Sequence, residues 1–129
     1  MTTGVLIGLI WIMFIHWFAD FVFQTNYMAQ NKSSKIEALV LHIAVYMIVL
    51  FIGTLTFLSE PYYLSLQKIT NFVIVNGIFH FVIDFFTSKA TSKLWKEGKI
   101  HEFFVVIGFD QLFHFIILLE TANIFLFLS

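Results

Sequence analysis

The sequence predicts an all-α integral membrane protein, a four-helix bundle that forms a single transmembrane domain over residues 1–129. Hydrophobic residues make up 60% of the chain and charged residues only 12%, which is far from the balance of a soluble domain. Four apolar runs are each close to the ~20 residues that a helix needs to cross a ~30 Å hydrocarbon core. These runs are residues 5–24, 36–58, 69–87 and 103–128. The chain lacks the alternating pattern of β-barrel strands, so helices are the structure that pairs every backbone group in lipid.

Short polar segments separate the four predicted helices. A turn at 31–34, Asn-Lys-Ser-Ser, precedes the second helix, and Pro61 in the segment Ser-Glu-Pro ends it, because proline cannot continue the hydrogen-bond ladder. Residues 88–102 form either an amphipathic surface segment or a solvated connector, and their short apolar face favours the connector. Trp95 within this segment is expected to lie at the membrane interface.

The lysines divide unequally between the two ends of the predicted bundle. Lys68 alone falls between the second and third helices. The other six basic residues all fall in the loops after the first and third helices: Lys32, Lys35, Lys89, Lys93, Lys96 and Lys99. Short loops rich in lysine stay in the cytoplasm. The sequence therefore predicts a multi-pass protein of the cell (inner) membrane, with the lysine-rich loops in the cytoplasm and both termini outside.

Three of the predicted helices carry a histidine and an aspartate four residues apart, a spacing that places both on one helix face. The pairs are His16 with Asp20, His80 with Asp84, and Asp110 with His114. The remaining helix carries His42 near its start. At ~1.5 Å per residue, all seven groups lie ~6 to 16 Å from the cytoplasmic ends of their helices. The order of the pair is reversed in the fourth helix, as an antiparallel bundle converging on one site requires.

A layer of ionisable groups in a membrane needs a compensating interaction. On insertion scales each such residue near the bilayer centre costs about 2.5 to 3.5 kcal/mol, and even half that cost for three aspartates sums to several kcal/mol. Pairing with histidine offsets part of this, and a divalent cation held by imidazole and carboxylate groups offsets more. The chain has no cysteine, so thiolate ligands and cysteine nucleophiles are excluded. Histidine-rich ligation favours zinc, with manganese or iron as alternatives, bound as one ion or two.

The candidate site residues divide by expected role. The expected metal ligands are His16, Asp20, His80, Asp84, Asp110 and His114. His42 is expected to be the general acid or base, or a further ligand, because imidazole exchanges a proton near neutral pH. Gln24, Asn76 and Gln111 are expected to hydrogen-bond with the ligands rather than to bind the metal. Three other ionisable residues are expected to lie outside the site: Glu37, which caps the second helix, the exposed His101, and the isolated Glu120.

Taken together, the polar positions resemble a known family. They are His16-x-x-x-Asp20-Phe21-x-x-Gln24 followed by Met28-Ala29 and Lys32, then His42, then His80-x-x-x-Asp84, then Asp110-Gln111-x-x-His114. This string covers nearly the whole chain and resembles the small bacterial and phage membrane proteins grouped as domain of unknown function 3307. The sequence is also distantly similar to the predicted membrane-bound metal-dependent hydrolases, which carry histidines and aspartates in membrane helices. That similarity is one of residue type and setting, and it favours hydrolysis.

Three functions fit these observations. The first is a metal-dependent hydrolase that acts on a lipid headgroup or another membrane-associated phosphoryl or acyl substrate, because the layer lies just under the cytoplasmic headgroups. The second is a cation or proton transporter with the layer as a relay, for which Glu120 offers the one continuation toward the outer side. The third is a structural His/Asp network. The bilayer is the expected partner, a homo-oligomer stays open, and nucleic acid is not expected, since the lysines are few.

Overall fold

The computed structural model describes residues 3–62 and 64–127, with the side chains of 59–62 left out of the description. The described residues form helices and no strand, which confirms the predicted all-α class. The helices are α1 (Thr3–Trp17), which continues as a π-helix (Phe18–Val22), α2 (Asn26–Asn31), α3 (Ile36–Tyr62), α4 (Leu66–Lys96), and α5 (Ile100–Ala122), which continues as a π-helix (Asn123–Phe127). Four helical spans are long and apolar enough to cross a membrane, namely Thr3–Val22, Ile36–Leu58, Leu66–Lys96 and Ile100–Phe127.

The third span is longer than the sequence predicted, and the expected connector at 88–102 is wrong for most of its length. Helix α4 runs on through Lys96, because the segment after Ser88 contains no glycine or proline before Gly98. Gly98 has φ 69°, a conformation that glycine adopts without steric cost. The amide of Gly98 donates to the Trp95 carbonyl (3.1 Å) and that of Lys99 to the Leu94 carbonyl (3.0 Å), the paired bonds of a Schellman helix end. Only 97–99 connect α4 to α5.

The first and fourth spans differ from their predicted limits by smaller amounts. The first ends at Val22 rather than at residue 24, and the fourth begins at Ile100 rather than at residue 103, while its predicted end at residue 128 lies outside the described residues. The second span has its predicted limits, residues 36–58, but helix α3 continues through Pro61 to Tyr62 instead of ending before the proline. A proline in the last turn removes one backbone hydrogen bond from a helix that is about to end.

A short helix that the sequence did not predict, α2, lies between the first two spans. Thr25 precedes it with extended backbone, and its hydroxyl accepts a hydrogen bond from the Met28 amide (3.3 Å), the role that threonine plays at a helix N-terminus. The predicted polar turn follows at Lys32–Ser34. Helix α2 therefore fixes where the chain turns back and where Lys32 lies.

The bundle separates an apolar core from a buried polar layer. Helix α4 packs against both α3 and α5, and α1 packs against α3. The core consists of apolar residues on the side of the bundle away from the lysine-rich turns, including Ile12, Leu50, Phe72, Leu118 and Leu126. The outer surface is covered with exposed phenylalanine, isoleucine, leucine and valine side chains, as expected of helices that face lipid.

A close approach of α3 and α4 brings their polar residues together. A Cβ atom on Gly77 would lie 2.5 Å from the Met47 sulfur, so a larger residue at this position requires the Met47 side chain to shift. Gly77 is one turn before His80 on the buried face of α4.

Candidate metal centre

Four buried side chains from three parts of the bundle converge on one point. Asp20 comes from the π-helix after α1, His42 from α3, and His80 and Asp84 from α4. We call these four residues the tetrad. Their exposed fractions are between 0% and 4%. Each contributes one ligand atom to a group in which all atoms lie within 4.8 Å of one another.

The distances between the tetrad's ligand atoms, 3.1 to 3.7 Å where a histidine is one partner, are close to those of a tetrahedral ligand set. The Nε2 atom of His42 is 3.1 Å from Asp20 Oδ1 and 3.3 Å from Asp84 Oδ2. The Nε2 atom of His80 is 3.2 Å from that of His42, 3.3 Å from Asp20 Oδ1 and 3.7 Å from Asp84 Oδ2. Donor atoms ~2.0 to 2.2 Å from a tetrahedral zinc ion lie ~3.3 to 3.6 Å apart. The tetrad thus has the donor types and the spacing of a divalent-ion site.

The contact between the two imidazoles restricts their protonation. At 3.2 Å the Nε2 atoms of His42 and His80 are close enough for one hydrogen between them. Two Nε2–H groups facing each other would repel, so at least one of these nitrogens presents a lone pair. A nitrogen lone pair directed at two carboxylate oxygens is unfavourable without a cation, and a metal ion removes the conflict.

The second oxygen of each tetrad carboxylate faces a further group of ligand atoms, which we call the flanking group: His16, Asp110 and His114. Asp20 Oδ2 is 3.9 Å from His16 Nε2, and Asp84 Oδ1 is 3.7 Å from His114 Nε2. His16, Asp20 and His114 form one set of mutually close ligand atoms, and Asp84, Asp110 and His114 form another. The two carboxylates therefore lie between two groups of histidines, the arrangement in which a carboxylate bridges two ions.

Unpaired imidazole nitrogens support the same interpretation. Within the described residues, both ring nitrogens of His114 are buried and have no hydrogen-bond partner. Its Nδ1 atom is 3.4 Å from Asp110 Oδ2, but not in hydrogen-bonding geometry. Buried polar groups normally find a partner, and those that lack one often mark a site for water or an ion. A metal ion between His114 and the carboxylates would supply that partner.

The chain matches the sequence profile of the family described as protein of unknown function (DUF3307) over residues 8–128. The chain belongs to this family. No curated protein and no solved structure matches it, so the similarity to membrane-bound metal-dependent hydrolases stays a prediction from residue chemistry.

One glutamine of this DUF3307 protein connects the tetrad to the flanking group. The Nε2 amide of Gln111 donates to Asp20 Oδ2 (3.0 Å) and to Asp110 Oδ2 (3.0 Å). Its Oε1 atom is 3.4 Å from His16 Nε2. The structure thus places Gln111 as the sequence predicts, hydrogen-bonded to the carboxylates and beside a histidine. These contacts orient both carboxylates.

The other two amides predicted for this role are placed differently. Asn76 donates to the Thr121 hydroxyl (2.8 Å) and to the Phe72 carbonyl (2.8 Å), so its amide is engaged with residues outside the tetrad and the flanking group. The Oε1 atom of Gln24 is buried with no partner among the described residues, and Gln24 lines a cavity beside the tetrad. Gln24 therefore lies beside the tetrad, and its Oε1 atom accepts no hydrogen bond from the carboxylate or histidine groups of the described site.

Lys32 is the residue that the sequence analysis missed as a member of the site. Its ammonium group lies 2.8 Å from Asp84 Oδ2, the oxygen that faces His42 and His80, and its side chain is 18% exposed. Burial alone would lower the pKa of Lys32, but the Asp84 and Asp20 carboxylates outweigh it and raise the pKa above its ordinary value. Lys32 is thus charged at neutral pH and supplies one positive charge against the three carboxylates of the layer.

Two hydroxyl groups that no sequence pattern indicated hold members of the flanking group. The Thr87 hydroxyl donates to Asp110 Oδ1 (2.6 Å), and the Tyr46 hydroxyl is 3.2 Å from His16 Nδ1. Both residues lie one helical turn from a predicted site residue, Thr87 after Asp84 and Tyr46 after His42. The same one-turn spacing that identified the pairs could have found these hydroxyl groups.

Three ionisable residues lie away from the buried layer, as the sequence predicts. Glu37 is exposed in the first turn of α3, and His101 is exposed near the start of α5. Glu120 is exposed on the surface of the fourth span. Its carboxylate therefore does not extend the buried His/Asp layer toward the other end of the bundle.

A cavity of about 480 Å³ lies against the carboxylates. Asp20, Asp84 and Asp110 line it at the depth of the tetrad, and Trp95 and Lys96 line it at the end of α4. Ligand cavities in proteins range from ~300 to 1,000 Å³, so this one is large enough for a small molecule or a lipid headgroup. It gives the buried layer a path to the lysine-rich end of the bundle.

Proposed function

We propose that this protein is a metal-dependent membrane hydrolase whose substrate is a lipid headgroup or another membrane-associated phosphoryl or acyl compound. The observation that carries the proposal is the tetrad, in which two imidazole nitrogens and two carboxylate oxygens converge at distances close to those of a tetrahedral zinc site. The cavity supports it, since a hydrolytic centre needs room for a substrate beside its ligands.

Zinc would be held by Asp20, His42, His80 and Asp84, with manganese or iron as alternatives, and the flanking group offers ligands for a second ion. A bound divalent ion lowers the pKa of a coordinated water to ~7 and polarises a phosphoryl or acyl oxygen. For His42 the position of Nε2 within the tetrad favours the ligand role over that of acid or base. His114, whose ring nitrogens have no hydrogen-bond partner among the described residues, would be a ligand of the second ion.

The remaining residues of the site hold the carboxylates and exclude water. Gln111 fixes Asp20 and Asp110 through two hydrogen bonds, and Thr87 fixes the other oxygen of Asp110. The core of Ile12, Leu50, Phe72 and their neighbours closes the layer on the side away from the cavity. An ion in the layer is therefore reached from the cavity.

Transport has less support. A relay needs polar groups along the whole path, whereas the described part of the bundle beyond the layer is packed mainly with apolar side chains. Glu120, the expected continuation of a relay, is exposed on the outer surface. The polar groups buried there are those of Thr54, Asn76 and Thr121, none of which is ionisable.

Hydrolysis can be tested in reconstituted vesicles. Zinc-loaded protein is incubated with a panel of phospholipids and acyl-ester lipids, and released phosphate, headgroup and fatty acid are measured. His80→Ala is expected to abolish turnover together with stoichiometric zinc, whereas the control His101→Ala, at an exposed histidine, is expected to retain both. Stoichiometric zinc with no product from any lipid in the panel would contradict the hydrolase proposal.

A further inference from the structure

The cavity beside the tetrad has the features of a phosphate-binding site that is open to lipid. From Asp84 to Lys96 its wall follows one face of α4, with lining residues three or four positions apart. At ~1.5 Å per residue this stripe is ~18 Å long, which is longer than a phosphate group needs and suits a headgroup with the first part of its chains. The cavity thus extends from the carboxylates to the lysine-rich end of the bundle.

With a divalent ion bound, the charges along the cavity would favour an anion. Lys32 and Lys96 line it, and the acidic residues among its lining are Asp20, Asp84 and Asp110, all of them members of the tetrad or the flanking group. Once a divalent ion binds, Lys32 no longer has to neutralise Asp84 alone. The positive charges of the ion, Lys32 and Lys96 then face one volume, as in sites that bind phosphate.

Two polar side chains that line the cavity each carry a buried atom with no hydrogen-bond partner among the described residues. Ser88 is 7% exposed, lines the cavity, and its hydroxyl has no hydrogen-bond partner among the described residues. The buried Gln24 Oε1 atom is in the same condition. A hydroxyl donor suits a phosphate oxygen, and an amide oxygen suits a ligand hydroxyl. A bound ligand would give both groups the hydrogen-bond partner that they lack.

The rest of the wall is apolar and reaches the outside of the bundle. Phe103 and Ile107 of α5 line the cavity, and Trp95 packs on Phe103 with ring centroids 5.2 Å apart. Phe21 and Trp95 are 45% and 58% exposed, so the apolar side of the cavity continues onto the lipid-facing surface. A soluble anion would make no favourable contact with this apolar wall, whereas the acyl chains of a lipid would cover it.

From these features we infer that the cavity binds a lipid with a terminal phosphate, with the phosphate on the stripe between Lys32 and Lys96, near Ser88, and the chains along Phe103 and Trp95. The inference rests on the proposed function, because it names the substrate class of the same site. It goes further by assigning recognition to residues that bind no metal.

Binding can be measured without turnover. The probe is a dihexanoyl phosphatidic acid analogue with a phosphonate in place of the phosphate, titrated calorimetrically into zinc-loaded protein in detergent. Lys96→Gln is expected to weaken binding about five- to tenfold through loss of one charged contact. Lys93→Gln is the matched control, because Lys93 is on the same helix, is 76% exposed and does not line the cavity. It is expected to bind within about twofold of wild type.

Ser88→Ala gives an independent measure. It is expected to weaken binding about fivefold while leaving thermal stability unchanged or higher, because it removes a buried hydroxyl that has no partner in the free protein. Equal effects of Lys96→Gln and Lys93→Gln would overturn the inference. Equal affinity for glycerol 3-phosphate and the lipid probe would overturn the choice of a lipid.

The metal content of the same samples separates the two proposals. If the samples contain stoichiometric zinc but Lys96→Gln and Lys93→Gln bind the lipid probe equally well, the lipid inference is contradicted and the hydrolase proposal is not. If the protein binds no zinc but Lys96→Gln binds the lipid probe more weakly than Lys93→Gln does, the lipid site is supported and the hydrolase proposal is contradicted.

Discussion

Asp20→Asn tests how the tetrad and the flanking group share one carboxylate. Asp20 Oδ1 is 3.1 Å from His42 Nε2 and 3.3 Å from His80 Nε2, while Oδ2 accepts a hydrogen bond from Gln111 (3.0 Å). Asparagine has the same shape but only one acceptor oxygen. If that oxygen faces the tetrad, its amide group meets the Gln111 amide donor to donor, and if it faces Gln111, its amide group points at the metal position.

The expected loss of affinity follows from the number of donors. Zinc binding to four-ligand sites is worth about 10 to 16 kcal/mol, so an equal share for each of four donors is about 2.5 to 4 kcal/mol. Asp20→Asn is therefore expected to weaken zinc binding by about 10² to 10³-fold. The assay is a zinc titration against a competing chromophoric chelator, in detergent, with the melting temperature of each sample recorded.

Glu37→Gln is the control, because it makes the same acid-to-amide change at an exposed position on α3. It is expected to leave zinc affinity unchanged. An Asp20→Asn protein that stays folded and binds zinc with an affinity within about threefold of wild type would refute the reasoning, because Asp20 would then not be a zinc ligand.

Further predictions concern the charge, the spacing and the extent of the layer. Lys32→Met is expected to tighten zinc binding roughly tenfold in the same titration, because it removes a positive charge 2.8 Å from Asp84 Oδ2; weaker binding would contradict competition between the two cations. In metal-free wild type the pKa of Lys32 is raised, so the stability that its ion pair with Asp84 contributes is fully present below the ordinary pKa of 10.5. That contribution is lost only as pH rises through the raised pKa. Melting curves recorded between pH 7 and 10 are therefore expected to show no loss of stability from the Lys32–Asp84 pair. Gly77→Ala is expected to lower the melting temperature, because the Met47 side chain must shift away from the added Cβ atom, and an unchanged value would show that this shift costs little. Glu120→Gln is expected to change neither zinc content nor turnover, whereas loss of a measured cation flux would favour transport.

The sequence was sufficient for the helices and for most of the site, for reasons visible in particular residues. A spacing of four positions places His80 and Asp84 on one face, and the reversed order of Asp110 and His114 matches the antiparallel fourth span. Apolar length alone determines the four spans, because lipid allows few other structures. Local spacing and depth were therefore enough to identify residues that meet in the bundle.

The contacts that the sequence could not predict depend on geometry between elements. Lys32 was assigned to a cytoplasmic loop, because nothing in its neighbourhood indicated that α2 would direct it back to Asp84. One carboxylate oxygen of Asp20 faces the tetrad and the other faces His16. This arrangement depends on the rotation of the side chain and on the π-helix at Phe18–Val22. Periodicity reports the face of a helix and carries no information about either feature.

The metal content of the purified protein tests the central claim most directly. Wild type and His80→Ala are purified in detergent, dialysed against a weak chelator and analysed for zinc, manganese and iron. About one or two ions per chain in wild type, lost in His80→Ala, is the predicted result. No stoichiometric metal in wild type, even after reconstitution with each ion, would contradict a metal centre and leave the buried layer as a hydrogen-bonded His/Asp network.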